Sequence, residues 1–258
     1  MNNQTANDSV NPSDVVIATT TFYRGSDPSS VYRAELAIGL VQQARELGHQ
    51  VAIVDGGSSD EVVARFKDLG AIVEQERDRG MGKSVRQVIQ LAQDIGKPVI
   101  AWTEPEKLDY VGSIVKTARP IISDTVDLVV PARISMDSYP TAQQWAEPFG
   151  NAFWRELTGA NLDMWFGPRT WGRAQTRYFL EYDGRHGDKW DSIFVPVMDA
   201  IHGGKRVVSV GVDYKHPARQ TAGEEHDLTF YTKRVEQLDN LMKALKAHAD
   251  EIGFKKKE

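Results

Sequence analysis

Cysteine is absent from the 258 residues, which removes thiolate nucleophiles, disulfides and thiolate metal sites together. Long apolar runs are missing too. The longest fall far short of the roughly 20 residues that span a bilayer, so no transmembrane segment is expected. The opening stretch, MNNQTANDSVNPSD, lacks the charged-then-apolar order of a signal peptide and reads as a disordered lead over residues 1–13. Neither sign of charge dominates. The formal net charge is −5 and only the closing KKKE is markedly basic, which argues against nucleic acid as a partner. The expected compartment is the cytoplasm, and a homo-oligomer stays open.

What is there is an ordinary globular composition, 41% hydrophobic and 26% charged. The length suits one large domain, taken as residues 14–253 because no linker or repeat divides it. Over the half from 14 to 135, strand-like and helix-like segments alternate. DVVIATTTFY is a β-rich run, and VYRAELAIGLVQQARELG carries apolar residues at helical spacing up to a stop at Gly48. VAIV, AIVEQE and PVIAW read as further strands, with EVVARFKDLG and the segment after GMGKS as helices; Ser59 or Asp60 is a candidate N-cap. That order predicts an α/β fold, a mainly parallel sheet covered by helices on both faces.

The half from 136 to 253 is less regular. DLVVPARI just before it reads as a strand, and TAQQWAEPFGNAFWRELTG as a helix in two pieces broken near Pro148 and Gly150. DSIFVPVMDAIHGG, KRVVSVGVDY and DLTFYTKRVEQLDNLMKALKAHADEIG follow as helix, strand and long terminal helix. Trp145, Trp154, Trp165, Trp171 and Trp190 offer flat faces for a sugar or an apolar acceptor, with at least two of them expected in the core.

Ligands of such sheets bind beyond the carboxyl ends of the strands, and the exits here are chemically distinctive. They are Thr19-Thr20-Thr21, Asp55-Gly56-Gly57, Gly80 to Lys83, and Glu104-Pro105-Glu106. The last three can each be read in more than one way. Gly80 and Gly82 ahead of a helix suit an anion, with Lys83 and Arg86 adding charge, but the same residues also make a plain turn with a solvated lysine. Asp55 suits a nucleobase or ribose acceptor, or an aspartate bonded to its own turn. The two glutamates suit Mg²⁺ or Mn²⁺ shared with substrate phosphates, a general base, or a charged loop facing water. His216 after a strand and Asp191 at a helix start complete the candidates.

In their order along the chain, VVIATTTFY, VAIVDGGSSDE, GMGKSVRQVIQLA and VIAWTEPEK resemble the first strand, aspartate–glycine–serine loop, glycine loop and DxD segment of GT-A fold nucleotide-sugar glycosyltransferases. The likeness runs from about Val15 to about Gly223. The glycine loop and GNAFWRELTGANLDMWFGPRTWGR are similar to dolichol-phosphate mannose synthase-like enzymes, and the stretch from GDKWDSIF to VGVDYKH is similar in layout to mannosylglycerate synthase. The resemblance implies a hexosyltransferase-like activity, moving a sugar from a nucleotide-diphosphate sugar donor to a small hydroxyl acceptor. It implies Asp55, Thr19 and Thr20 at the nucleotide, Lys83, Gly80, Gly82 and Arg86 at the diphosphate, and Asp191 near the reacting carbon. Glu106 and His216 would hold a divalent metal, with Glu104 at ribose or a metal-bound water. The departure is Glu-Pro-Glu in place of Asp-x-Asp. Two other functions remain: a sugar-nucleotide-binding protein without transferase activity, and a nucleotidyltransferase. The latter usually needs a glycine-rich basic loop where this chain has TTTFYRGSDPSS.

Overall fold

The computed structural model describes residues 10–255. The alternation of the first half folds as β1 (Val15–Thr21), α1 (Pro28–Glu46), β2 (Gln50–Asp55), α2 (Asp60–Asp68), β3 (Ile72–Gln75), α3 (Met81–Ile95) and β4 (Val99–Trp102). Local chemistry sets the boundaries. The Asp27 carboxylate accepts from the backbone N–H groups of Ser29 and Ser30 with Pro28 opening α1, Ser59 caps α2, and Gly96 ends α3 at a left-handed φ of 83°.

The chain continues through α4 (Ile114–Ile122), β5 (Leu128–Arg133), α5 (Thr141–Thr158), β6 (Arg169–Gly172) and α6 (Thr176–Glu181). It closes with α7 (Asp191–His202), β7 (Val207–Val212), α8 (Ala218–Glu224) and α9 (Leu228–Glu251). The seven strands lie in the order β3-β2-β1-β4-β6-β5-β7, all parallel except β6, which runs against both neighbours. The α/β expectation holds, with helices over both faces.

Alternation along the strands divides the core. Val16, Ala18, Ala52, Val54, Ile100 and Trp102 face one way, and Val85, Val88, Ile89 and Ala92 of α3 pack there at helical spacing. Val15, Ile17, Val51, Ile53, Val99 and Ala101 face the other way, toward α1 and α4. Each of the buried Val and Ile side chains contributes about 1.5–3 kcal/mol by leaving water.

Three differences from the sequence reading stand out. Of the expected lead, residues 1–9 lie outside the described residues; beyond them, Val10 is buried and Pro12–Asp14 forms a 3₁₀ turn whose Pro12 carbonyl meets His49 Nδ1 at 2.9 Å. The helix expected in two pieces is continuous from Thr141 to Thr158. Gly150 is not a break there: a side chain at that position would run into the Trp165 indole, so the glycine is a notch that seats a ring. Finally, α4, β6, α6 and α8 were not expected. Among the described residues no helix is long and apolar enough to cross a membrane.

Candidate active site

At the carboxyl end of β4, Thr103 N–H bonds the Ala18 carbonyl and extends the ladder by one residue. Pro105 then turns the chain, and the Lys107 N–H closes on the Glu104 carbonyl at 3.2 Å. The turn points Glu104, Glu106 and Lys107 into a cavity of about 690 Å³, a size suited to a small-molecule ligand. His216, just past β7, lines the same cavity. Residues more than a hundred positions apart in sequence thus share one space.

Their electrostatics differ. Glu106 Oε1 accepts from Tyr23 Oη at 2.7 Å and from Arg33 Nε at 3.1 Å. Glu104 is largely buried; burial raises its pKa, with Lys107 Nζ, 3.9 Å away, opposing that shift, and its Oε2 meets no hydrogen-bond partner among the described residues. Lys107 is itself pulled down by burial, and its ammonium rests over the rings of Phe166 and Tyr214 at 4.8 and 5.2 Å. Burial, followed by the charges of Lys107, Arg234 and Arg133, lowers His216 to about 3, so its imidazole is neutral.

The tautomer of His216 follows from its neighbour. Thr221 Oγ1 donates its one proton to the Ser138 carbonyl at 2.7 Å, so it can only accept from His216 Nδ1, also at 2.7 Å. Nε2 therefore carries the lone pair. The donor set suits a divalent cation: an orphaned carboxylate oxygen on Glu104 and the free imidazole lone pair on His216. The three side chains do not, however, form a closed metal cluster among the described residues, where the only grouping of such ligand atoms lies elsewhere. Lys107 and Arg33 already supply positive charge beside the two glutamates.

The remaining sequence candidates lie off this cavity. Asp55 is fully buried and accepts five hydrogen bonds: Thr21 Oγ1 and Ser58 Oγ on Oδ1, and Gly57 N, Ser58 N and Gln75 Nε2 on Oδ2. The turn has claimed the carboxylate, so no lone pair faces a base. Thr19 is buried with its hydroxyl unpartnered among the described residues, and Thr20 is half-buried.

The glycine loop is also corrected. Gly80 sits at φ 139° and ψ 136° and donates to Glu76 Oε1, while the Gly82 N–H donates to the Asp188 carbonyl at 2.9 Å. A side chain on Gly82 would strike Asp188 and Ser192, so the close approach it permits is to protein rather than phosphate. Arg86 is held by Asp188 in a two-pronged pair at 2.6 and 3.1 Å. Lys83 is exposed, in a shallow depression with Glu74 and Asp78. Asp191 is buried and accepts from Tyr182 Oη, Asp188 N and Lys189 N, which folds the loop ahead of α7; its neighbour Trp190, rather than Asp191, lines the cleft.

The tryptophans divide as their chemistry allows. Trp154 and Trp171 are core, Trp145 is exposed, and Trp165 and Trp190 line the cleft, with Trp165 edge-on to Phe194 at 4.9 Å. Sequence reasoning missed the cleft's cations. Lys107 was within reach, one residue past the acidic pair. Arg33, Arg219, Lys233 and Arg234 come from helices, where a basic residue carries no local signal of its destination.

No protein-family model and no curated protein matches the chain. Solved structures do. Glucosyl-3-phosphoglycerate synthase from Mycobacterium tuberculosis, in complex with Mn²⁺, uridine-diphosphate-glucose and phosphoglyceric acid, is similar with a TM-score of 0.60 and 13% identity, over 90% of this chain and 79% of that one. Mannosyl-3-phosphoglycerate synthase from Rubrobacter xylanophilus gives 0.62 and 15%, over 95% and 76%. At such identity the likeness establishes the fold: the chain has the GT-A architecture that these structures share.

Proposed function

We propose that this chain is a glycosyltransferase of the hexosyltransferase class, moving a sugar from a nucleotide-diphosphate donor to a hydroxyl on an anionic small-molecule acceptor. The observation that carries the reading is the single cleft at the β4 exit, in which Glu104, Glu106, Lys107 and His216 converge on a GT-A sheet.

In the reaction the bond from the anomeric carbon to the diphosphate oxygen breaks, and the diphosphate leaves with the electron pair. The acceptor hydroxyl oxygen bonds to the same carbon and gives up its proton to an oxygen of the departing diphosphate or to water. Lys107 and Arg33 are the cations placed to stabilise charge growing on the diphosphate, where a desolvated ammonium counts for more than one in water. His216 Nε2, with Glu104 and Glu106, would hold a divalent metal, which when bound adds Lewis-acid stabilisation of the leaving group. Asp191, Arg86 and Gly82 position the loop that carries Trp190, and Asp55 shapes the turn beside the nucleotide. Phe22, exposed at the β1 exit with the Arg24 guanidinium 4.8 Å from its ring, offers an aromatic face to a base.

An anionic acceptor is favoured by Lys233, Arg234 and Arg33. Burial, and then the charges of Arg234 and Arg33, lower the pKa of Lys233 despite the opposing pull of Glu224 and Glu106, as expected where cations crowd one wall. The solved enzymes in complex with phosphoglyceric acid make a phosphorylated hydroxy acid the first acceptor to try.

Binding without transfer is the second reading, favoured by the unclosed metal cluster. Thermal-shift screening against nucleoside-diphosphate sugars, with and without Mn²⁺, followed by donor turnover with 3-phosphoglycerate, separates the two. Stabilisation with turnover is expected. Stabilisation alone selects the binding protein, and no response to any donor sinks both.

A further inference from the structure

On the flank away from the cleft, α9 returns along α7 and meets the loop between α6 and α7. His248 and Glu251, one turn apart on α9, face His186 of that loop, and one ligand atom from each lies within 4.8 Å of the other two. His186 Nε2 is 3.4 Å from Glu251 Oε2, and His248 Nδ1 is 4.0 Å from the same oxygen. Both imidazoles are more than nine-tenths buried, their side chains 9% and 5% exposed, and neither of these nitrogens makes a hydrogen bond among the described residues. Unpaired nitrogens are costly in the interior unless something uses them.

The far side of His248 fixes its state. Nε2 lies 2.7 Å from Asp199 Oδ1, an acceptor, so Nε2 carries a proton, and in the neutral ring Nδ1 holds the lone pair on the side of Glu251. A carboxylate behind an imidazole whose other nitrogen is free is the outer-shell arrangement of metal-bound histidines. His186 is steadied by its ring lying nearly parallel to Tyr182 and by its N–H bonding Tyr182 Oη. Tetrahedral bonds of about 2.0–2.1 Å put neighbouring ligand atoms about 3.3 Å apart, so only His248 Nδ1 has appreciably to close.

We propose that His186 Nε2, His248 Nδ1 and the Glu251 carboxylate form a binding site for a transition-metal dication of the zinc class, completed by water. Two nitrogens and one oxygen suit Zn²⁺ and disfavour Mg²⁺. The ion would take over the role of Arg185, whose half-exposed guanidinium now stands 3.8 Å from Glu251. Its effect is structural. It clamps the end of α9 to the loop whose Asp188 pairs with Arg86 and whose Trp190 lines the cleft. This site is independent of the transferase reading.

Full-length protein stripped of metal is titrated with Zn²⁺ and Co²⁺, with Mg²⁺ as control, in wild type and in a His216→Gln background that removes the cleft imidazole. The His216→Gln protein is expected to bind one Zn²⁺, to melt at higher temperature with it, and to give the visible absorption of low-coordinate Co²⁺; any further equivalent taken up by wild type alone belongs to the cleft. Glu251→Gln, nearly isosteric and half-exposed, and His186→Asn are each expected to weaken Co²⁺ binding by about 100-fold or more, and Asp199→Asn by about 10–100-fold. Absence of Zn²⁺ uptake by the His216→Gln protein, or uptake in that background unchanged by Glu251→Gln and His186→Asn, overturns the site.

Discussion

Lys107 and Lys83 are the same residue type at two strand exits, and only their surroundings separate them. Lys107 is largely buried beside Glu104 in the cleft, whereas Lys83 is exposed outside it. Lys107→Met keeps the length and removes the charge, and turnover is expected to fall about 100-fold, the scale of losing one stabilising group for a developing anion. Lys83→Ala is expected to keep wild-type turnover. Steady-state kinetics of the two variants side by side check this, and the reverse outcome would return the glycine loop to the diphosphate. Asp55 illustrates the other kind of residue. Five donors converge on its carboxylate, and Asp55→Ala leaves several of them buried and unpaired, so a loss of about 3 kcal/mol or more is expected in urea unfolding. The acidic pair and His216 could be singled out in sequence as candidates by their places at strand exits, and what the fold adds is that all three line one cleft. Asp55, Arg86 and Asp191 read equally well in sequence and turn out to bind protein, since a strand exit supplies its own donors as readily as a ligand does.

At the scale of elements, the junction of α3 with the loop before α7 is the tightest contact near the cleft. Gly82 gives its N–H to Asp188, and Arg86 one turn on holds the Asp188 carboxylate. Gly82→Ala gains helix propensity but forces the two elements apart. A net loss of about 1–3 kcal/mol is expected by chemical denaturation, together with a higher KM as the Trp190 wall slackens. An alanine that stabilises the protein would show that the loop yields freely. The regular first half was legible because β1, β2 and β4 carry continuous apolar runs and the helices between them show apolar spacing with a side-chain cap or a glycine stop; β3, Ile-Val-Glu-Gln, is the weak member. The four-residue β6 has no such run. Its Arg169 is fully buried, donating to the Gly167, Pro168 and Met164 carbonyls, and its pKa is lowered to about 10 by burial. A basic residue inside a sheet contradicts every local rule, and only the carbonyls gathered around it by the fold make it tolerable.

For the whole molecule, the way the chain enters its sheet sets a pH limit. His49 lies just before β2, fully buried, with Nδ1 against the Pro12 carbonyl and Nε2 unpartnered among the described residues. Burial lowers its pKa below the ordinary 6.5, against the pull of the Pro12 and Val15 backbone groups. The folded protein therefore keeps the imidazole neutral at a pH where the unfolded chain has begun to bind a proton. Since the unfolded state then binds more protons, stability rises with pH across this window and is lost as pH falls below about 6.5. For one proton the slope is at most about 1.4 kcal/mol per pH unit, and it fades once the folded-state pKa is reached. Above pH 7 the group contributes nothing to the slope. Glu104, raised by burial, works in the opposite sense at lower pH, so the wild-type profile alone does not isolate the histidine. His49→Gln does, because it removes the proton site and retains a donor for the Pro12 carbonyl. The variant is expected to be less stable at pH 7 but to lose less on going to pH 5, so that the two profiles converge. Urea midpoints at half-unit intervals measure this directly. Parallel profiles would mean that His49 takes up its proton in the folded state after all, with water reaching the seam between the entering chain and β2.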